Sequence, residues 1–465
     1  MNKNTRDYIW TLLMSTIKII LQAGAIIILG RMLSPNDFGL IGMISIFIAL
    51  STMIVDSGMG ASILRKKEVA EIEYSTLFIY NMAVSIIIYI LLYYMASYIA
   101  TFYKQEQLNI IIKIISINII INALYRCQYT KLLKDFKYKE LSIITIISNL
   151  IATIVAICLA QNKYGVWSLV FMQITEMAMM AILCASINRY IPSLQFSTKV
   201  FKEQFAFGIH LFGASTLKTI SDNIQANIIA KIMPLSVTGY FVQAQRIQHV
   251  PSLIITSVLD KVMFPKLAII QNPKVFKNNF ITTTTVIAIF CIAVTFYISL
   301  IASDITSLLL GEKWLMAGNI LSLLIFILIP DSLKIICRNA LKSLGNSKLI
   351  LKNELLFSIT IIGAIITSYR FNIYGMVISI IISYTITAII ILISATQYIQ
   401  ITKSSILKIY IKYISIFSFI YLVIIQINKQ INTTNNIMNI VIITILYSIP
   451  CIIICARVKR NLYNK

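Results

Sequence analysis

Long apolar stretches constrain this chain more than any other feature of its sequence. Helices of roughly 17–25 apolar residues cross a bilayer. Fourteen runs of that kind make up most of the 465 residues. A backbone that faces lipid must satisfy its own hydrogen bonds, so each run is expected to be helical. The sequence therefore predicts an all-α polytopic membrane protein with 14 transmembrane helices. The runs cover residues 9–30, 38–55, 75–98, 108–125, 141–160, 166–187, 205–232, 237–259, 279–301, 315–336, 354–369, 374–394, 410–427 and 437–455.

The basic residues alternate between the loops. The chain has 40 Lys and Arg residues and 17 acidic residues, for a formal net charge of +23. Twenty-eight of the basic residues fall in the termini, in every second loop or at the adjoining ends of the runs, seven fall in or next to the opposite loops, and five lie deeper within the apolar runs. Cytoplasmic loops carry the basic excess in membrane proteins. The pattern predicts that both termini are cytoplasmic, and it explains the charge without a nucleic-acid partner.

One segment of the chain occurs twice, 200 residues apart. Met14-Ser15-Thr16-Ile17-Lys18 aligns with Ala214-Ser215-Thr216-Leu217-Lys218, and Gly39 aligns with Gly239 without a gap. A lysine inside an apolar run costs about 3 kcal/mol on insertion scales, so its recurrence indicates two related halves. Six runs separate the copies, which makes the repeat parallel, with an axis along the membrane normal. The predicted organisation is a six-helix lobe (residues 1–188), a basic cytoplasmic linker (189–204), a second six-helix lobe (205–396), and two further helices with a basic tail (397–465).

Polar residues at helical spacing mark three of the runs. Lys18 and Gln22 share one face of the first run, and Lys218 and Asp222 share one face of the seventh. We interpret these stripes as the lining of a cationic, substrate-binding cavity between the lobes. The alternative is that Lys18 extends to the interface and that Lys218 pairs with Asp222 one turn away. The complete predicted lining is Lys18, Gln22, Lys113, Lys218, Gln243, Arg246 and His249.

The sign of the charges indicates the substrate class. The interiors of the apolar runs contain five basic residues and three acids, Glu176, Asp222 and Asp331. If two of these acids are offset by neighbouring lysines, the interior remains positive. A positive cavity favours an anion, and a pyrophosphate is a natural partner for separated cations. A cavity for cationic drugs would be dominated by acids.

Glu176 is the leading candidate for ion coupling. It lies in the middle of a run and has no basic neighbour in its own helix. It is interpreted as a proton or cation carrier, with Asp222 as the second candidate, and the alternative is a salt bridge to another helix. We expect no bound cofactor, and coupling, if it exists, to a proton or sodium gradient.

Motifs of other function classes do not occur in the sequence. It has no GxxxxGK[ST] loop for a nucleotide, only two histidines, and seven cysteines without a CxxC pair. We therefore expect no catalytic residues and no metal site. The predicted outside loops are too short to hold the active site of a glycan polymerase or ligase.

Several short motifs, in order along the chain, resemble one family. Leu33-Ser34-Pro35-Asn36-Asp37-Phe38-Gly39-Leu40 and Asp56-Ser57-Gly58-Met59-Gly60-Ala61-Ser62-Ile63-Leu64-Arg65 resemble the opening signature of the polysaccharide-transport flippases. These belong to the multidrug/oligosaccharidyl-lipid/polysaccharide exporter superfamily. Later similarities are Tyr164-Gly165-Val166-Trp167-Ser168, Gly239-Tyr240, Phe264-Pro265, Gly311-Glu312-Lys313-Trp314 and Leu344-Gly345-Asn346-Ser347-Lys348.

The resemblance implies a function. It implies alternating access and transfer of a polyprenyl-pyrophosphate-linked oligosaccharide from the cytoplasmic to the outer leaflet of a bacterial inner membrane. The pathway would be O-antigen, capsule or exopolysaccharide biosynthesis, with membrane lipids, a glycan polymerase and export machinery as partners. The alternatives are a flippase for the peptidoglycan precursor, a drug exporter of the same superfamily, or a membrane-embedded polymerase or ligase.

Overall fold

The computed structural model describes residues 3–190, 192–259, 263, 267, 269–270, 272–431 and 436–463. Within these ranges the side chains of residues 3–16, 19, 210–211, 214, 258, 347, 455 and 457–463 lie outside the description. Every regular element in the described ranges is a helix. The prediction of an all-α chain is therefore confirmed. Two of the quoted motif residues, Phe264 and Pro265, lie outside the described residues.

The chain forms two compact units, and the first comprises Met1–Gly239. Its helices are α1 (Lys3–Met32), α2 (Pro35–Asp56), α3 (Met59–Arg65), α4 (Glu71–Tyr103), α5 (Gln107–Ile115), α6 (Ile117–Lys134), α7 (Tyr138–Gln161), α8 (Val166–Asn188) and α9 (Thr198–Ile232). Helix α10 (Leu235–Val258) begins at the end of this unit. Helix α9 packs along α2, α3 and α4. The first helix of the predicted second lobe thus belongs to the first compact unit, while the lobe boundaries remain predictions from the repeat.

The second unit comprises Tyr240–Lys465. After α10 it contains α11 (Pro273–Leu310), α12 (Leu315–Leu324), α13 (Leu328–Ser343), α14 (Ser347–Thr367), α15 (Ile373–Ile399), α16 (Lys403–Ile431) and α17 (Asn436–Tyr463), with short 3-10 turns at Glu312–Trp314 and Ile325–Ile327. The long helix α11 packs against α12, α13, α16 and α17. Side-chain bonds fasten the last helix to it: Tyr447 donates to the carbonyl of Ala293 at 2.7 Å, and Asn436 donates to Ser307 at 3.0 Å.

Eleven helices or helix pairs in the described part of the chain are long and apolar enough to cross a membrane. They coincide with eleven of the fourteen predicted spans. The other three correspond to α1, of which Ile20–Met32 is counted as a shorter apolar helix, and to α9 and α10. These three helices carry the polar stripes. The exact count of fourteen remains a prediction.

Two spans are interrupted near their middle. Ser116 separates α5 from α6, and the 3-10 turn Ile325–Ile327 separates α12 from α13. These are the fourth and the tenth predicted spans, which are equivalent in the repeat. Neither interruption was predicted. The first has no proline or glycine at the break, whereas Pro330, which has no N–H for the carbonyl of Phe326, closely follows the second.

The two signature motifs set the ends of α2. Ser34 caps the helix: its hydroxyl accepts from the Asp37 amide at 3.4 Å, and Asp37 accepts from the Ser34 amide at 2.9 Å. Pro35 occupies the first turn, where its missing N–H costs nothing. At the other end Ser57 (φ 41°) and Gly58 (φ 72°) adopt left-handed conformations that stop the helix. The motifs therefore fix the length and the exit directions of α2.

Candidate functional site

The predicted cationic residues of the first unit differ in their surroundings. Lys18 on α1 is half-buried, whereas Gln22 on α1 and Lys218 on α9 are exposed, and Asp222 is half-buried. Ser15, which begins the same stripe, has a side chain outside the described residues. Groups that the helical core does not enclose remain available to a ligand. The assignment of these residues to one cavity stays a prediction.

Lys113 has an aromatic partner. Its ammonium lies 4.7 Å from the centre of the Tyr93 ring, across the hairpin formed by α4 and α5. Lys231 makes a similar contact at the end of α9, where its Nζ lies 3.8 Å from the centre of the Phe102 ring and also donates to the Phe102 carbonyl. Cation–π contacts of this kind contribute about 0.5–2 kcal/mol. They stabilise a positive charge in apolar surroundings without an acidic residue.

Three predicted ligands lie on α10 in the second unit. Gln243 is fully buried and neither its amide oxygen nor its amide nitrogen has a hydrogen-bond partner. Arg246 and His249 are half-buried, and Pro251 lies inside the same helix. Elsewhere in this unit Lys334 lies over Phe357, with its Nζ 3.2 Å from the ring centre. The buried amide of Gln243 is an unused hydrogen-bonding group on the helix that carries the arginine.

Glu176, the predicted coupling residue, is half-buried on α8 and faces an amide. Asn149 of α7 approaches it, with 3.5 Å between the amide nitrogen and a carboxylate oxygen. Among the residues that the structure describes, no ion pair includes Glu176. The alternative of a structural salt bridge is not supported by these contacts. No group of three His, Cys, Asp or Glu side chains suited to a metal occurs in the same described set.

A close contact between repeated segments joins α2 to the first residues of α10, and sequence reasoning did not predict it. A Cβ added to Gly39 would lie 2.5 Å from the carbonyl oxygen of Leu235, and one added to Gly239 would lie 1.8 Å from that of Pro35. The two contacts are reciprocal under the 200-residue shift. Asn227 of α9 strengthens this end by hydrogen-bonding Tyr103 at 3.1 Å. The repeat pairs these glycines in the sequence, which is the signal that could have revealed the contact.

The opposite end of α2 is also closely packed on α9. A Cβ on Gly58 would lie 2.6 Å from the carbonyl of Gly208, and one on Gly208 would lie 2.4 Å from that of Ser57. Beside this contact the Arg126 guanidinium donates to both carboxylate oxygens of Asp56, at 2.8 and 3.0 Å. The seam between α2 and α9 is therefore closed at both ends in this structure.

The sequence is similar to proteins of polysaccharide biosynthesis. The model of the family described as "Polysaccharide biosynthesis protein" matches residues 28–319. The teichuronic acid biosynthesis protein TuaB of Bacillus subtilis is 24% identical over 68% of this chain and 66% of its own length. The lipopolysaccharide biosynthesis protein WzxC of Escherichia coli is 22% identical over 66% of this chain and 63% of its own length. The chain thus spans slightly less than two thirds of the length of these relatives.

Solved structures show the same fold. The inward closed conformation of the lipid II flippase MurJ superposes with a TM-score of 0.75 over 99% of this chain and 100% of that chain, at 14% identity. An inward-facing multidrug resistance MATE family transporter of the MOP superfamily superposes with a TM-score of 0.66 over 82% of this chain and 94% of that chain, at 12% identity. At these identities the likeness establishes the fold of a multi-pass membrane transporter. Because the family model covers well over half of the sequence, the resemblance seen in the motifs is confirmed, and the chain belongs to the polysaccharide biosynthesis protein family.

Proposed function

We propose that this chain is a flippase that moves a polyprenyl-pyrophosphate-linked oligosaccharide from the cytoplasmic to the outer leaflet of a bacterial inner membrane. The observation that carries the proposal is the family match over residues 28–319, combined with a flippase fold over 99% of the chain. The relatives are named for teichuronic acid and lipopolysaccharide biosynthesis, and the structural neighbours for lipid flipping and drug transport. These names support a transporter of glycan precursors rather than a catalyst.

The charges of the predicted cavity suit such a substrate. A pyrophosphate that leaves the headgroup region loses hydration and needs positive partners inside the membrane. Lys18 and Lys218 are available as point charges, and Arg246 supplies a planar group that binds two phosphate oxygens at once. Hydrogen bonds to charged groups contribute about 1.5–3 kcal/mol each. Each of these cations would therefore favour binding of the anionic headgroup.

We also propose a direction of glycan transport and an ion gradient that drives it. The distribution of Lys and Arg supports cytoplasmic termini, and alternating access then carries the glycan outward. We assign coupling to a proton or sodium gradient, with Glu176 and Asp222 as the candidate carriers. The proposed partners are membrane lipids, a glycan polymerase and the export machinery of the same surface polysaccharide, in O-antigen, capsule or exopolysaccharide biosynthesis.

The test replaces Arg246 in cells that depend on this chain for a surface glycan. Arg246→Ala should lower surface glycan about tenfold or more, because one charge-assisted contact is lost. Arg246→Lys should retain part of the activity, since the charge stays while the planar group is lost. Arg370→Ala is the matched control, because Arg370 is exposed in the same unit and donates a hydrogen bond to the neighbouring Tyr369 hydroxyl. Protein levels are equalised by immunoblot before glycan is measured.

The outcomes separate cargo binding from structure. Full export by Arg246→Ala would contradict the cationic site. A deletion strain that keeps its surface glycan but loses cell-wall synthesis would instead identify the peptidoglycan precursor as the cargo. Accumulation of unpolymerised glycan already in the outer leaflet would point to a polymerase.

A further inference from the structure

Helix α13 in the second unit is buried except along one charged stripe. Its residues from Leu328 to Leu341 are buried apart from Asp331, Lys334 and Arg338, which are half-buried. Spacings of three and four residues place these three side chains on one face of the helix. Charged side chains within a membrane-spanning segment face the interior of a bundle or a water-filled cavity rather than lipid. The stripe therefore indicates a polar cleft in this unit.

Contacts with the next two helices show what the stripe faces. A carboxylate oxygen of Glu354 on α14 lies 3.9 Å from a guanidinium nitrogen of Arg338. The Nζ atom of Lys334 lies 3.2 Å from the centre of the Phe357 ring on α14 and 5.3 Å from that of the Tyr384 ring on α15. These two rings pack on each other, with 4.7 Å between their centres. The arginine of the stripe thus has an acid beside it, and the lysine has an aromatic wall.

Arg338 is paired more loosely than the corresponding arginine of the first unit. Its separation of 3.9 Å from Glu354 is beyond hydrogen-bond distance. Arg126, on the helix that follows the break in the equivalent span, donates instead to both carboxylate oxygens of Asp56, at 2.8 and 3.0 Å. The 200-residue shift replaces Asp56 by Thr256, which carries no charge. The second half of the repeat therefore lacks the carboxylate that holds this arginine in the first half.

Two further polar groups on α13 and α14 have unused bonding capacity. Asn353, the residue before Glu354, is 8% exposed, and its amide nitrogen has no hydrogen-bond partner among the described residues. Within the same described set, Asp331 belongs to no ion pair. Buried polar atoms without a partner are uncommon in native proteins and indicate a bound water or ligand. The α13–α14 pair is thus equipped to bind a polar ligand.

The charges of this group indicate the class of ligand. Asp331 and Glu354 offset Lys334 and Arg338, so the group favours neither a free anion nor a free cation. Sugar hydroxyls suit it better, because a hydroxyl donates to a carboxylate and accepts from a guanidinium or an ammonium group. A few placed polar groups of this kind give a binding site its specificity. We propose that the charged stripe of α13, together with Glu354, binds the saccharide portion of the lipid-linked cargo.

This inference rests on the proposed function, and it divides the recognition of the cargo between two groups of residues. Arg246 and the predicted cationic cavity contact the pyrophosphate, which every polyprenyl-pyrophosphate cargo shares. The stripe of α13 contacts the sugar, which differs from one cargo to another, and Arg338 is a specificity-determining residue. A site that hydrogen-bonds hydroxyl groups discriminates strongly against a ligand that lacks them. The two roles are therefore separable by comparing a cargo with and without its sugar.

The experiment measures the binding of two lipids to the purified full chain in detergent micelles by native mass spectrometry. One lipid is the polyprenyl-pyrophosphate oligosaccharide extracted from cells that depend on this chain for their surface glycan. The other is the bare polyprenyl pyrophosphate. The wild-type chain should bind the glycan-bearing lipid more tightly than the bare lipid. The measured quantity is the ratio of the two Kd values.

Variants assign this preference to the stripe. Arg338→Ala should weaken binding of the glycan-bearing lipid about tenfold or more, because a hydrogen bond from a charged group is lost, and it should leave binding of the bare lipid unchanged. Asp331→Asn preserves the volume of a side chain that belongs to no ion pair of the described residues, and it should change the ratio in the same direction. Lys352→Ala is the matched control, because Lys352 is exposed on α14, two residues before Glu354. The Tm of each variant is measured to verify that it is folded.

Each outcome decides between the two roles. Arg246→Ala should weaken binding of both lipids alike, and loss of the preference in Arg338→Ala alone would support the saccharide site. Equal weakening of both lipids by Arg338→Ala would make this arginine a pyrophosphate contact and would overturn the inference. An unchanged ratio in folded Arg338→Ala and Asp331→Asn would overturn it as well, while the flippase proposal would stand. Binding of neither lipid by the folded wild-type chain would contradict the proposed function, and this inference with it.

Discussion

Substitution of Gly239 by alanine should open the seam at the start of α2, where Gly239 of α10 meets Pro35. The added Cβ would lie 1.8 Å from the Pro35 carbonyl oxygen, far inside ordinary contact, and that oxygen belongs to the backbone of a capped helix start. No side chain is available to move aside, so the two segments must separate. Overpacking of this kind costs about 1–3 kcal/mol. A cost near 2 kcal/mol shifts a two-state equilibrium about thirtyfold.

The assay follows the accessibility of a residue that the seam covers. Ser45 of α2 is half-buried, and its hydroxyl lies 3.4 Å from the amide nitrogen of Asn227. Ser45→Cys, in a background in which all seven cysteines are replaced, is exposed in intact cells to a maleimide that does not cross membranes. Gly239→Ala should increase the labelling rate by an order of magnitude, as the shift above implies.

Gly363 provides the control for the substitution at Gly239. Gly363→Ala adds the same methyl group to a helical glycine that has nothing within 4 Å of the new Cβ, and it should leave labelling unchanged. If Gly239→Ala labels at the rate of this control, the close contact does not limit opening. The idea that the repeated glycines close the seam at the start of α2 would then be wrong.

Three further predictions follow from the same structure. Gly58→Ala should lower Tm, because a left-handed φ of 72° costs a residue with a Cβ about 1–2 kcal/mol. The new Cβ would also meet the Gly208 carbonyl. Gly60→Ala, whose new Cβ would have contacts no closer than 3.4 Å, should leave Tm unchanged. A double-mutant cycle of Asp56→Asn and Arg126→Gln should give a coupling of about 1–2 kcal/mol, between the values for exposed and buried pairs, and a value near zero would show that the pair is incidental. An alkaline phosphatase fusion after Lys465 should be inactive, since the distribution of basic residues predicts that this end is cytoplasmic. An active fusion would contradict the predicted topology.

The class of fold could be predicted from the sequence, because its cause is local. A helix that crosses a bilayer must be apolar along its whole length, so each span is visible without any tertiary information. The runs that become α1, α9 and α10 also carry polar residues that the sequence analysis predicts as cargo ligands.

The contacts of the site depend on packing between distant segments and were not predictable in the same way. Lys113 was expected in a cavity, but its ring partner Tyr93 lies on the preceding helix and no sequence rule pairs them. The unpartnered oxygen of Asn149 is likewise a property of the bundle, since an asparagine in a span is equally compatible with full hydrogen bonding. Glu176 was identified from its isolation in an apolar run, and the structure adds the amide beside it.

The central claim is that this chain transfers a lipid-linked oligosaccharide between leaflets, and transfer in proteoliposomes tests it most directly. Purified protein is reconstituted in vesicles that contain a fluorescent polyprenyl-pyrophosphate oligosaccharide, and a membrane-impermeant quencher reports the fraction in the outer leaflet over time. The account predicts rapid redistribution with the wild-type chain and redistribution slowed about tenfold or more with Arg246→Ala. Redistribution no faster than in protein-free vesicles, with folded protein and an imposed sodium or proton gradient, would contradict it.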